Sequence, residues 1–223
     1  MKTKPLIIFG LGELAQLAHY YFEHDSVRPV AGFTVDESYI HSSEFRGLPL
    51  VPFDRVHERF PPSDFDLFVA IGYDSLNTSR ARTCAAAMSR GYELPSYVST
   101  RASVWPDLVV GANCLIMEAN TIQPFVKIGD GVIVWCGSTI SHHVEIGDYS
   151  FLAAEVTVSG GVKIEPHCFV GVNATLREHV TVGRDCIVGA GALILEDTPA
   201  GSCYAVPGTA NAGIPSRRMQ SIL

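Results

Sequence analysis

Residues 128–164 read IGDGVIVWCGSTISHHVEIGDYSFLAAEVTVSGGVKI. An aliphatic residue recurs there at every sixth position: Ile128, Val134, Ile140, Ile146, Leu152, Val158 and Ile164. The series continues outward without a failure. It starts at Val104, Val110, Ile116 and Ile122, and ends with Val170, Leu176, Val182, Val188 and Ile194. A helix face repeats at about 3.6 residues, so this period points to short strands joined by tight corners. The position four residues further on is mostly small or β-branched, as at Val126, Val132, Ser138, Val144, Ser150, Val156, Val162, Ala174, Val180 and Ala192. A second period lies on top of the first. VGANC, IGDGV, IGDYS, IEPHC and VGRDC begin at Val110, Ile128, Ile146, Ile164 and Val182, 18 residues apart. Three hexads therefore make one turn of a triangular prism, with the aliphatic residues stacked inside as in any solenoid. Glycine directly after the aliphatic residue is expected to supply a corner backbone that other residues strain to adopt.

Cys114, Cys168 and Cys186 share the second, small-residue phase and read as apolar fillers. With Cys84, Cys136 and Cys203 they form no CxxC pair, so neither a zinc knuckle nor a redox motif is visible and no metal is expected.

The chain before the repeat has a different texture. Leu6 to Phe9 is an apolar run that ends in the glycines of FGLGELA, and a helical pattern follows through Leu14, Leu17, Ala18 and Phe22. PVAGFTVD ends at Asp36, FDLFVAIG ends at Gly72, a helix is expected from about Ser75 to Arg90, and LPSYVS reads as a last strand. Strand and helix alternate, which implies a parallel sheet with ligands at the carboxyl ends of its strands. Gly10 and Gly12 stand where a strand turns into a helix, a place that favours an anion such as a diphosphate. Asp36 closes the second strand, where a carboxylate can hold a sugar hydroxyl or a base. Gly72 and Tyr73 complete the candidate substrate-binding set. About 100 residues suit a half-site for one nucleotide better than a full dinucleotide domain. The expected division is a Rossmann-like α/β domain over residues 1–100 and the triangular prism of hexads, with its C-terminal tail, over residues 101–223.

Bulk properties narrow the classes of function. Hydrophobic residues make up 47% and charged residues 17%, which marks an ordered globular chain. The formal charge of −7 argues against nucleic-acid binding through a broad basic face. No apolar stretch is long enough for a membrane span. The start MKTKPLIIFG reads as a first strand and not as a signal peptide, so a cytoplasmic protein is expected.

The hexads together with the FGLGELA turn resemble the bacterial nucleotide-sugar acyltransferases of the sialic acid O-acetyltransferase type (NeuD-like and PglD-like), within the left-handed β-helix hexapeptide-repeat superfamily. The resemblance covers essentially the whole chain. It implies a homotrimer, acetyl-CoA lying between neighbouring β-helices, and a nucleotide-sugar held by the N-terminal domain. It places the catalytic base on His142 of STISHHVEIGD. The family often has an acidic residue next in line, and this chain has His143 there, a second catalytic-site candidate in an orienting role, with Glu145 or a neighbouring subunit's carboxylate as possible substitutes for the missing acid. Acyl transfer also needs a donor for the oxyanion. Gly160 lies one 18-residue turn above His142, about 4.8 Å away, so Gly160 or Gly161 is the candidate for contacting the thioester carbonyl. By resemblance, Asn173 and Ala190 to Ala192 lie near the pantetheine arm. YAVPGTANAGIPSRR resembles the family's terminal segment, with Arg217 or Arg218 set to meet a CoA phosphate.

The implied reaction is acetyl transfer from acetyl-CoA to an amine, or a hydroxyl, of a nucleotide-linked sugar. O-acetylation of a free sugar or sialic-acid-like acceptor, and a non-catalytic nucleotide-sugar-binding β-helix, are the alternatives. The paired histidine spacing of a β-helix carbonic anhydrase is absent, as are the helical N-terminal domain and DIHP-type sequence of serine acetyltransferases.

Overall fold

A computed structural model describes residues 3–211. Strand β1 (Leu6–Phe9) leads through Gly10–Gly12 into helix α1 (Glu13–Asp25), then β2 (Val30–Val35), β3 (Glu44–Phe45), β4 (Leu48–Pro52), the short helix α2 (Val56–Arg59), β5 (Asp66–Val69) and helix α3 (Thr78–Ser89). The sheet order is β3-β4-β2-β1-β5. All pairs are parallel except β3 with β4. Strands β1 and β5 are buried throughout, as expected of parallel strands covered on both faces. Helix α1 buries Ala15, Ala18 and Phe22, one stripe at helical spacing.

The remainder is a left-handed parallel β-helix of two-residue strands. Lys127 pairs with Glu145, Ile133 with Phe151 and Thr139 with Thr157, each 18 residues on. The first face of the prism carries Val109–Val110, Lys127–Ile128, Glu145–Ile146, Lys163–Ile164 and Thr181–Val182. The second carries Leu115–Ile116, Ile133–Val134, Phe151–Leu152, Phe169–Val170 and Ile187–Val188, and the third Thr121–Ile122, Thr139–Ile140, Thr157–Val158, Thr175–Leu176 and Leu193–Ile194. The second residue of each strand points inward. Those from Ile116 to Ile194 form one core with Cys114, Cys168, Cys186 and the rest of the small-residue series, so the thiols do serve as fillers.

Three sequence expectations need correction. The left-handed corner backbone falls three residues after the aliphatic position, at Asn113, Ala119, Phe125, Gly131, Gly137, His143, Tyr149, Glu155, Gly161, His167, Asn173, His179, Asp185 and Gly191, so most of these corners are not glycine. The glycine directly after the aliphatic residue serves coil-to-coil packing instead. A β-carbon on Gly147 would lie 2.6 Å from the Pro166 nitrogen in the next coil, and one on Gly183 2.6 Å from the Thr198 oxygen. Val104 does not join the stack: it is 36% exposed, because it precedes the first complete coil and nothing closes over it. Finally, LPSYVS supplies strand β6 (Tyr97–Val98), but this pairs with Leu115–Ile116 and extends the second face of the prism, not the N-terminal sheet.

The N-terminal sheet and its helices dock on that second face. Its outward residues Leu115, Ile133 and Phe151 are buried in the same cluster as Leu67, Phe68 and Phe22. The outward residues of the other two faces, such as Lys127, Glu145, Thr121 and Thr139, stay exposed. Polar contacts fix the joint. Arg80 is fully buried. Its Nε donates to the Gly131 carbonyl at 2.7 Å, and its Nη atoms donate to Tyr149 O at 2.9 Å, Ile71 O at 3.2 Å, Asn77 Oδ1 at 3.1 Å and the Gly72 carbonyl. Burial pulls its guanidinium down to about 10. Asn113 completes the join by accepting the Val69 amide at 2.7 Å and donating to the Val69 carbonyl at 3.1 Å, as a neighbouring strand would. At the far end of α1, Asp25 accepts from Tyr97 Oη at 2.6 Å and from Ser99 and Thr100, and these bonds hold its carboxyl well below the usual range.

Candidate active site

The carboxyl ends of β1, β2 and β5 enclose a cleft of about 520 Å³ that gathers Gly10, Gly12 and Asp36 with Tyr39, His41 and Arg82. Gly10 is needed there. Its φ is +124°, and a β-carbon would lie 3.0 Å from the Ala70 carbonyl. Gly12 caps helix α1 and faces open space, so the first-turn amides are approachable by an anion. Arg82 adds a cation to this floor, a residue the sequence reading did not single out. Asp74 also lines the cleft. Bonds from Ser79 at 2.6 Å and Ser75 at 3.2 Å lower its carboxyl below the ordinary value. Asp36 is exposed at the rim, directly after β2.

Gly72 and Tyr73 are not in this cleft. They line an adjoining groove of about 420 Å³ between the N-terminal domain and the prism, together with Glu13, Trp135, Phe151 and Phe169. The groove begins where the cleft ends, since Gly12 and Ile71 line one and Glu13 and Gly72 the other. The Tyr73 ring stands edge-on to Phe151 at 5.2 Å and Phe169 at 5.1 Å. Tyr73 nevertheless stays 59% exposed, an aromatic surface open to a ligand.

His142 lies at the corner between the third and first faces, after Thr139–Ile140 and before Glu145–Ile146. That edge is opposite the second face, where the N-terminal domain docks. The expected stacking on Gly160 is present. A β-carbon on Gly160 would lie 2.6 Å from His142 Cε1 and 2.9 Å from Nε2, so only glycine leaves room for the ring. Gly161 uses its amide on the His142 carbonyl at 2.9 Å, whereas the Gly160 amide has no acceptor among the described residues. Of the two candidates, Gly160 alone offers a free backbone donor. The His142 amide donates to Gln123 Oε1 at 2.9 Å, another contact that sequence reasoning missed. Glu145 does not orient His142, because it is paired with Lys127 at 3.0 Å. The ring partner is His143, with Nδ1 to Nδ1 at 3.1 Å.

Asn173 and Ala190 are exposed at the corner between the second and third faces, one edge away from His142. Arg217 and Arg218 lie outside the described residues. Among the described residues no group of His, Cys, Asp and Glu could hold a metal ion.

The sequence profile of the bacterial transferase hexapeptide family (six repeats) matches residues 107–142, 125–160 and 161–196. Repeat and coil coincide: the matched residues are the coils of the left-handed β-helix, so that part of the chain is similar to the hexapeptide-repeat transferases. Comparison with curated protein sequences returns no match. Among solved structures, PerB from Caulobacter crescentus in complex with CoA and GDP-perosamine superposes with a TM-score of 0.80 at 26% identity, over 91% of this chain and 94% of that one. A single-histidine-to-alanine mutant of the Caulobacter GDP-perosamine N-acetyltransferase, also with CoA and GDP-perosamine, gives 0.81 at 26% identity, over 91% and 93%. The acetyltransferase domain of PglB from Neisseria gonorrhoeae with acetyl coenzyme A shares the fold at 0.80 and 23% identity, over 91% and 96%.

Proposed function

We propose that this protein transfers the acetyl group of acetyl-CoA to the amine of a nucleotide-linked sugar. The observation that carries the reading is His142 laid over Gly160, whose amide is unpaired, on a chain that also builds an anion-ready cleft. The N-acetyltransferase activity and the ligands of the Caulobacter relatives support it. The diphosphate lies on the Gly10–Gly12 turn, Asp36 holds the ribose or base, and the sugar extends into the groove of Gly72 and Tyr73. The acceptor nitrogen attacks the thioester carbonyl carbon while His142 Nε2 takes its proton. The Gly160 amide donates to the oxygen that becomes negative. The C–S bond then breaks, and His142 returns the proton to the departing CoA thiolate. Asn173 and Ala190 flank the pantetheine arm.

One chain holds the nucleotide cleft and His142 on opposite sides of the prism, so we assign the working site to neighbouring chains of a homotrimer. Asp36→Ala is expected to raise the acceptor KM about tenfold or more while acetyl-CoA affinity stays within about twofold, the cost of one lost hydrogen bond to a ligand. Assembled together, Asp36→Ala and His142→Ala chains form some sites with an intact cleft facing an intact histidine. Those mixtures should recover turnover at low acceptor concentration. Absence of recovery in steady-state assays would place both halves of the site in one chain and remove the shared arrangement.

No helix among the described residues is long and apolar enough to cross a membrane. All six cysteines are free thiols, which agrees with the cytoplasmic location we assign.

A further inference from the structure

The two corner histidines share one hydrogen bond, and that bond restricts which protonation state can react. His142 Nδ1 and His143 Nδ1 are 3.1 Å apart, with the rings nearly perpendicular at 84°. Two neutral imidazoles make such a contact only if one brings an N–H and the other a lone pair. If His143 donates, the proton of neutral His142 sits on Nε2, and His142 cannot act as a base there. If His142 donates, its Nε2 keeps a free lone pair beside Gly160. His143 is then the acceptor and carries its own proton on Nε2.

Resting on the assignment of His142 as the base, we propose that His143 is a positioning residue. It acts as a neutral acceptor that holds His142 in the Nδ1–H tautomer, in the role a carboxylate usually fills.

His143 is held for this role by its surroundings. Its backbone is left-handed at φ +59°, and its amide donates to the Pro124 carbonyl at 3.3 Å. Its ring lies 4.8 Å from that of Phe125 in the coil below. Phe125 is 65% exposed at a corner where apolar burial gives it no reason to be, and its contact with His143 supplies one. The charged and titratable groups around the pair are few. Glu145 on the following strand is paired with Lys127 of the coil below. Lys163 continues that exposed row in the coil above, Glu178 is two coils above His142, and the His179 ring lies over Gly161. No carboxylate among the described residues bonds to either ring of the pair. In turnover His142 gains a proton on Nε2, keeps donating through Nδ1 to His143, and gives the Nε2 proton to the thiolate. His143 changes neither its proton count nor its charge.

The test is a series at one position, read as kcat, both KM values and the pH dependence of kcat/KM. Asn and Asp each place Oδ1 where His143 has Nδ1, and both tolerate left-handed backbone. His143→Leu removes the acceptor and should lower kcat about tenfold or more with both KM values kept. His143→Asn restores a neutral acceptor and should recover turnover to within about threefold of the parent. His143→Asp should also recover turnover, but its negative charge favours protonated His142, so the acid limb of kcat/KM should move to higher pH by about one unit. Equal turnover in the Leu and Asn variants, or an unmoved acid limb in the Asp variant, overturns the proposal. Thermal melts of Asn and Asp variants establish folding independently of Leu. Failure of the underlying reading looks different: His142→Ala would then remain active whatever stands at position 143.

Discussion

Replacing His142 with alanine should lower turnover about 10²–10⁴-fold, the usual consequence of losing a general base. The β-helix should stay folded, because its stability comes from the inward aliphatic stack and His142 is exposed at a corner. Acetyl-CoA affinity should stay within a few-fold of the parent. Raising the pH should rescue part of the loss, since an amine acceptor can give its proton to solvent, whereas a hydroxyl acceptor would gain little. Single-turnover kinetics with matched circular dichroism check both halves. Near-parental turnover in a folded His142→Ala protein would remove His142 from the chemistry.

Arg80→Met should produce the largest loss of stability, about 3–5 kcal/mol by denaturant unfolding, the range for breaking a buried polar network. Arg80 serves the carbonyls of Gly131, Tyr149, Ile71 and Gly72, and methionine fills similar space without a single donor. Those carbonyls would be left buried and unpaired. Arg80→Lys should rescue little, because an ammonium cannot reproduce the planar fork that bonds on both sides of the joint. Ile71 and Gly72 lead into the aromatic groove, so the acceptor KM should rise in any fraction that folds. A loss under about 1 kcal/mol would show that the apolar contacts of Leu115, Ile133 and Phe151 hold the domains together alone.

The prism was legible because its signal is periodic and redundant. Each hexad repeats the same inward residue, so the period stays legible even though Val104 lies outside the buried stack. The docking face is also written in the chain. At the outward strand position every third hexad is apolar, as in Leu115, Ile133, Phe151, Phe169 and Ile187, whereas most of the others are polar, such as Lys127, Glu145, Thr121 and Thr139, with Val109 and Leu193 as exceptions. Arg80 left no such trace. A single arginine in a helix reads as solvent-facing, and only the carbonyls brought together by two domains explain its burial. The corner backbone was misplaced because glycine has two uses, at positive φ and under close approach, and Gly147 and Gly183 serve the second. His142 and Gly160 were found through the 18-residue period, which reports what stacks on what. It says nothing about hydrogen bonds, so Gln123, the unpaired Gly160 amide and the Nδ1 contact of His143 needed coordinates.

The central claim is tested most directly by following thiol release from acetyl-CoA with a panel of amino-sugar nucleotides of different bases, with mass spectrometry of the acceptor. Thiol should appear only when an amino-sugar nucleotide is present, in step with one acetyl group gained on its amine, and the free amino sugar should react far more slowly. Thiol release that ignores the acceptor, or that is as fast with the free sugar, would contradict the account.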